Sequence, residues 1–232
     1  MSKKAVLAML LVVLLPVTAY YLVKYYSERA VDMPRHYFFD GVKDTVVDGK
    51  KRTDTIWHRI SNFSFVNQLN DTVFADDVKG KILVVDFFFT RCPNPCPTMT
   101  SNMKKMQEAY KKNDTLIHFI SFSVDPVRDS VEALKRYADK YAVKHNNWWF
   151  LTGEKNKIYE LAFNEFKAAV VDGGEVDTSF LHTNKFYLLD KNRVIRGWYD
   201  GTDSNALSKM ARDISLLILE KDKTKKRNLF RK

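Results

Sequence analysis

The chain has 232 residues, 45% of them apolar, with 38 Lys and Arg against 28 Asp and Glu, and two cysteines. That length and apolar content suit one domain with a substantial core plus appendages, and two cysteines are too few for a disulfide scaffold. The net charge of +10 does not mark a nucleic-acid binder, because residues 220–232 carry seven Lys or Arg against Glu220 and Asp222 and so hold half of the excess in a solvated tail, at most near anionic lipid.

Lys3 and Lys4 precede an apolar run from Ala5 to Val23, and about 20 such residues in a helix span the hydrocarbon core of a bilayer. Tyr20, Tyr21, Tyr25 and Tyr26 suit the far interface. Residues 1–4 are therefore read as a cytoplasmic stub and 5–23 as a membrane anchor; a cleaved signal sequence is the competing reading, since Val17-Thr18-Ala19 resembles a small-residue cleavage site. Both readings send the remainder to the extracytoplasmic, periplasmic-type side. Lys3 and Lys4 favour an inside N-terminus, and Lys24 blunts the asymmetry.

Residues 24–57 mix charge, aromatics and turn formers and read as a linker. The domain proper is expected over 58–220, with a basic tail at 221–232. Short strands are expected in 59–80. The run KILVVDFFFT (81–90), apolar but for Asp86, reads as a strand covered on both faces and central in a sheet. Met99, Met103, Met106 and Tyr110 recur at helical spacing and form a core-facing stripe, with a methionine copper box as the sharper alternative. Further strands are expected at 115–124 and 148–152, a helix capped by Asp129 between them, and a short helix around Lys155 to Phe163. After a glycine-containing loop at 172–174 come a hairpin, KFYLLD and VIRGWYDG, and a helix over 204–219. This order implies an α/β sandwich with mixed pairing, which a thioredoxin-like fold satisfies.

Both cysteines, Cys92 and Cys96, sit between the buried strand and its helix, among Pro93, Pro95 and Pro97. At such a turn free N–H groups and the helix dipole lower a thiol pKa, and thiolate is the form that attacks disulfides and binds metal. Outside the cytoplasm thiols are oxidised unless reduced or metal-bound. A structural disulfide across so short a loop gains little. A redox-active dithiol and a metal site remain. The metal site needs a third ligand, and soft sulfur favours Cu(I), with Zn(II) also possible. His36, His58, His118, His145 and His182 compete for that place. His118 lies in an apolar strand as a satisfied core histidine and His36 in the linker, while His182 has the advantage of ending a long loop before a strand. Asp125 and Asp129 read as turn former and helix cap rather than an acid–base pair.

Four motifs in order resemble the Sco/SenC family of membrane-anchored, thioredoxin-fold copper proteins of cytochrome c oxidase assembly. FFFTRCPNPCPTMT resembles its strand and C-x-x-x-C-P motif, SFSVDPVRDSVEALKRYA (121–138) its Ser-Val-Asp-Pro stretch, WWFLTG (148–153) its Trp-x-x-Leu-Thr-Gly strand, and LHTNKFYLLDKNRVIRGWYDG (181–201) its histidine loop and hairpin. The resemblance covers about residues 60–218. It implies that Cys92 and Cys96 are copper-binding thiolates and His182 the third ligand, holding Cu(I) or Cu(II). It further implies a metallochaperone that helps metallate, or reduces the dithiol of, the binuclear copper site in the copper-bearing oxidase subunit, with other copper chaperones or thioredoxin-like reductants as further partners. Asn94 and Leu181 stand where many relatives have aspartate; a charge before the histidine tunes or orients a ligand. The rival function is an extracytoplasmic thiol:disulfide oxidoreductase without stable metal, and a peroxiredoxin-like peroxidase is a distant third.

Overall fold

In the computed structural model, which describes residues 3–29, 32–47, 50–168 and 183–220, the run expected as a central strand forms β5 (Ile82–Phe88), with all seven residues buried. Its neighbours explain that burial. Strand β6 (Ile117–Ser123) pairs with β5 in parallel and β8 (Lys185–Leu189) pairs with it antiparallel, so neither edge nor face meets water. The whole sheet has seven strands in the order β4-β3-β7-β6-β5-β8-β9, with β3 (Ser64–Asn67), β4 (Thr72–Phe74), β7 (Trp148–Thr152) and β9 (Ile195–Asp200) completing it. Parallel β5, β6 and β7 flanked by antiparallel strands give the mixed pairing expected.

Helices cover both faces. On one, α2 (Cys96–Ala109), α3 (Val131–Lys140) and α5 (Ser204–Leu219) enclose Ile82, Val84 and Phe88 with Met99, Met103, Leu134 and Ile214. On the other, α4 (Lys155–Glu160) and a π-helical turn (Leu161–Glu165) cover Leu83, Val85 and Phe87. Alternation along the strand puts Asp86 on the first face, beside the cysteines.

The segment read as a linker contains regular structure. Strands β1 (Phe39–Val47) and β2 (Lys50–Trp57) pair as an antiparallel hairpin. Polar residues fill both strands and Val42 and Val46 stay exposed, so no buried alternation marks them; Asp48-Gly49, the turn signal, lies outside the described residues. The hairpin's ends are held on the domain: His58 N–H donates to Phe38 C=O at 2.8 Å, and Tyr37 packs on Trp198 at 4.4 Å between ring centroids. Arg196, 3% exposed, fastens the point of entry. Its guanidinium donates to Pro34 C=O at 2.7 and 3.0 Å, to Asp190 at 3.0 Å and to Glu220 at 2.8 Å.

By itself the N-terminal unit is one helix, α1 (Lys3–Arg29), with Pro16 inside it; for residues 5–11 and 26–29 only the backbone is described. The placed side chains of residues 12–25 are exposed. Among the described residues no helix is long and apolar enough to cross a membrane.

Two buried titratable groups give opposite pH dependences. His118 is buried as expected but not satisfied: both ring nitrogens lack a hydrogen-bond partner and the ring sits edge-on to Trp149 at 4.1 Å. Burial, and then Lys81, hold its pKa down at about 3 against an ordinary 6.5. The unfolded chain therefore takes up a proton first, and stability falls as pH drops below 6.5. For Asp86, burial raises the carboxyl to about 7 from 3.8, against the opposing hydrogen bond from Ser121. Here the folded state keeps its proton longer, so stability falls as pH rises from about 4 to 7. His118→Phe should gain on the parent by about 2 kcal/mol between pH 6.5 and 5, and Asp86→Asn should gain on it as pH rises from about 4 to 7. Urea unfolding at pH 5, 6.5 and 8 reads both; a parent-to-variant difference that ignores pH would contradict the assignment.

Candidate metal centre

The cysteine loop starts where β5 runs out of partners. Phe88 C=O still accepts from Val124 N–H at 2.8 Å, and Cys92 N–H then donates to Phe89 C=O at 3.2 Å, closing a four-residue turn. Pro93 and Asn94 are exposed, the Asn94–Pro95 peptide is cis, and α2 opens at Cys96. Pro97 falls in the first helical turn, as expected, where its missing N–H costs nothing. Arg91 is exposed, so it is a solvated residue.

Both cysteines are free and buried, Cys92 at 6% and Cys96 at 4% exposure, within one core cluster. Burial first, and then a hydrogen bond with Cys92, push the Cys96 thiol well above its ordinary range; the nearby Asp86 carboxyl adds to this. This corrects the expectation of a lowered pKa. A helix N-terminus favours an anion by about 2 kcal/mol at best, whereas withdrawing a thiolate from water costs more. Thiolate at Cys96 thus requires an incoming cation or partner to stabilise it.

Beneath the turn lies Asp129, fully buried. Its carboxylate accepts from Thr90 N–H at 3.0 Å, Thr90 Oγ1 at 2.6 Å and Ser123 Oγ at 2.6 Å. The helix cap expected of it belongs to Ser130, whose hydroxyl accepts from Ala133 N–H at 3.3 Å. Asp125 does form the turn, its carbonyl accepting from Arg128 and Asp129 N–H. The sequence held a clue to the difference: a Ser directly after Asp129 can cap the helix and frees the carboxylate for another task. The methionines Met99, Met103 and Met106 are core, as their spacing implies, and line no open copper site.

Three of the four described histidines are engaged elsewhere, and the fourth faces away from the cysteines. His36 stacks on Trp57 at 4.8 Å, with burial and Arg196 lowering its pKa. His58 meets Asp40 at 2.9 Å and Glu165 at 3.6 Å. His145 lies 3.0 Å from Gln68 Nε2 and 3.4 Å from Asp139. His118 alternates with Phe119 and so faces the sheet side opposite the cysteines. Among the described residues no group of three or more His, Cys, Asp or Glu is placed to hold a metal ion. His182 and Leu181 lie outside the described residues, so the ligand set Cys92, Cys96 and His182 is not assembled by them.

The exit of the His182 loop is described. Leu83 pairs with Leu189 and Val85 with Tyr187; continuing that register sets Lys185 level with Phe87, and the preceding Thr183 and Asn184 at the cysteine end of the sheet. Thr183 is buried. Asn184 C=O accepts from Gly201 N–H at 2.7 Å, and Gly201 C=O accepts from Asn102 of α2 at 2.9 Å. A Cβ on Gly201 would stand 3.0 Å from Met99 Cγ, so glycine there lets the β9 turn press against α2. None of these contacts had a signature in the sequence.

Known proteins share this fold. Residues 53–218 match the SCO1/SenC family model. The SCO1 protein homolog of Bacillus subtilis is 32% identical over 167 residues, covering 72% of this chain and 86% of that protein. The structure of BsSco, described as a member of the Sco family of cytochrome c oxidase assembly proteins with a disulfide switch, superposes with a TM-score of 0.59 at 33% identity, over 70% of this chain and 95% of the other. Bradyrhizobium japonicum ScoI, solved with copper bound, shares the fold at a TM-score of 0.53 and 22% identity, over 67% and 96%. With the family model spanning residues 53–218 and a relative of 32% identity over most of its own length, the chain belongs to the SCO1/SenC family.

Proposed function

We propose that this protein binds copper and serves assembly of the binuclear copper site of cytochrome c oxidase, with Cys92, Cys96 and His182 as ligands. The observation that carries the reading is the pair of free cysteines, buried together at the strand-to-helix turn of a SCO1/SenC-family domain. Two soft sulfur donors suit Cu(I), and an imidazole lets the site also take Cu(II). Copper is cargo: the sulfurs receive it from a donor and yield it to the target subunit by ligand exchange, so the partner meets the Cys92–Cys96 loop directly. Three of the four described histidines have polar partners elsewhere and the fourth faces the opposite sheet side, which supports His182, as does the end of its loop at the cysteine pole.

The copper-bound ScoI relative supports the metal. Dithiol–disulfide cycling is the second reading, favoured by the burial of two free cysteines in one cluster and by the disulfide switch of BsSco. Copper(I) titration of the fully reduced protein beside its His182→Ala variant separates them. One tightly held copper per chain, weakened at least about tenfold by the substitution, about 1.4 kcal/mol, is expected. No tight copper in either protein, with the cysteines cycling freely in both, would leave the oxidoreductase standing. In a strain lacking the protein, oxidase copper loading should fall at limiting copper; normal loading there would remove the assembly role.

The same proposal places the domain on the extracytoplasmic side, held by the apolar run from Ala5 to Val23. The full chain should remain with membranes after alkaline carbonate extraction, and a chain beginning at residue 30 should not. Release of the full chain by carbonate would rule the anchor out.

A further inference from the structure

We infer that Asp129 is the positioning residue of the Cys92–Cys96 pair, an inference resting on the reading of that pair as the working site. Among the described residues its carboxylate has three donors, none of them charged, and two come from a single residue, Thr90. Thr90 is the second residue of the four-residue turn that Phe89 opens and Cys92 closes. Grasped by both backbone N–H and hydroxyl, it has neither the Phe89–Thr90 peptide nor its side chain free to rotate, so the direction in which the chain leaves β5 toward Cys92 is set by where the carboxylate lies.

That carboxylate is itself located from two other elements. Ser123 ends β6 and holds it at 2.6 Å. Asp129 N–H donates to Asp125 C=O at 2.9 Å, and Ser130, next along, caps α3. Helix α3 in turn reaches the helix that carries Cys96, since Tyr137 OH and Thr100 Oγ1 are 2.9 Å apart. One side chain thus references Cys92 to the same helix that references Cys96. Burying a carboxylate is costly and is tolerated where its hydrogen bonds are charge-assisted, as the three to Thr90 and Ser123 are. The separation of the two sulfurs, and with it the ease of forming a disulfide or of gripping one metal ion, follows from this arrangement.

The experiment uses the full chain in detergent and three variants, Asp129→Asn, Thr90→Val and Ser123→Ala. It reads the dithiol–disulfide equilibrium against glutathione, Cu(I) affinity by chelator competition, and stability by urea unfolding. Asp129→Asn puts an amide donor against the Thr90 donors and should shift the dithiol–disulfide constant at least tenfold, about 30 mV, and weaken Cu(I) by a similar factor. Thr90→Val, which keeps the backbone bond, should move both readings in the same direction by less. Ser123→Ala, which removes the donor on the far side of the carboxylate, should lose stability comparably to Thr90→Val and move the equilibrium least. If Asp129→Asn does not fold, the contrast between Thr90→Val and Ser123→Ala decides. Variants that lose stability while the dithiol equilibrium stays at the parent's value would overturn the inference and leave Asp129 a structural residue. A parent that binds no copper would defeat the copper reading alone, because the dithiol equilibrium is read without metal.

Discussion

The pairing of β5 between a parallel and an antiparallel neighbour is the constraint on which the site depends. Parallel pairing with β6 sends the C-terminal ends of both strands to one pole, so the turn after Phe88 and the turn after Ser123 emerge side by side. Antiparallel pairing with β8 brings the start of that strand to the same pole, and with it the end of the segment containing His182. Three stretches far apart in sequence thus converge because strand direction leaves them no other place. A one-residue slip of β5 would turn Asp86 and Phe88 to the other face and separate the cysteines from their core; seven consecutive buried residues oppose such a slip.

Burial then decides the chemistry. A cysteine at a helix N-terminus is commonly thought of as an activated thiolate, but here the same packing that makes the loop rigid withdraws Cys96 from water and favours its protonated form. Under the proposed function such a pair is quiet on its own and becomes a strong donor set when a soft cation arrives to replace the protons. Protection from adventitious oxidation and readiness for copper arise from one cause, the enclosure of both sulfurs among Phe88, Met99, Tyr137 and their neighbours.

The elements around the cysteines were legible because their residues carry a period. The continuous apolar run of 81–90, the methionine stripe of α2 and the strand WWFLT each bury a face that composition alone reveals, and all three lie where expected. The hairpin β1–β2 was not legible: its strands alternate nothing, since both faces are largely wet. Asp129 was noticed and given the wrong task, because a carboxylate that bonds a residue 39 positions earlier leaves no local pattern. The unsatisfied nitrogens of His118 are likewise a tertiary fact. The choice of His182 over four rivals came from family motifs and not from spacing, and the placement of the other four histidines is the physical counterpart of that choice.

Arg196 bears on how such a domain is carried. Ile195 pairs with Leu189, which pairs with Leu83, so the Arg196 cluster lies at the end of the sheet where β5 begins. The cysteine turn lies at the other end, about 20 Å away along the strand. Pro34, where the chain enters the domain, and Glu220, where α5 gives way to the tail, are both gripped by this one guanidinium. The first and last described residues of the domain are therefore held together at one corner, at the end of the sheet opposite the sulfurs. A pull on either end of the domain falls first on this ion cluster and not on the turn that carries the cysteines.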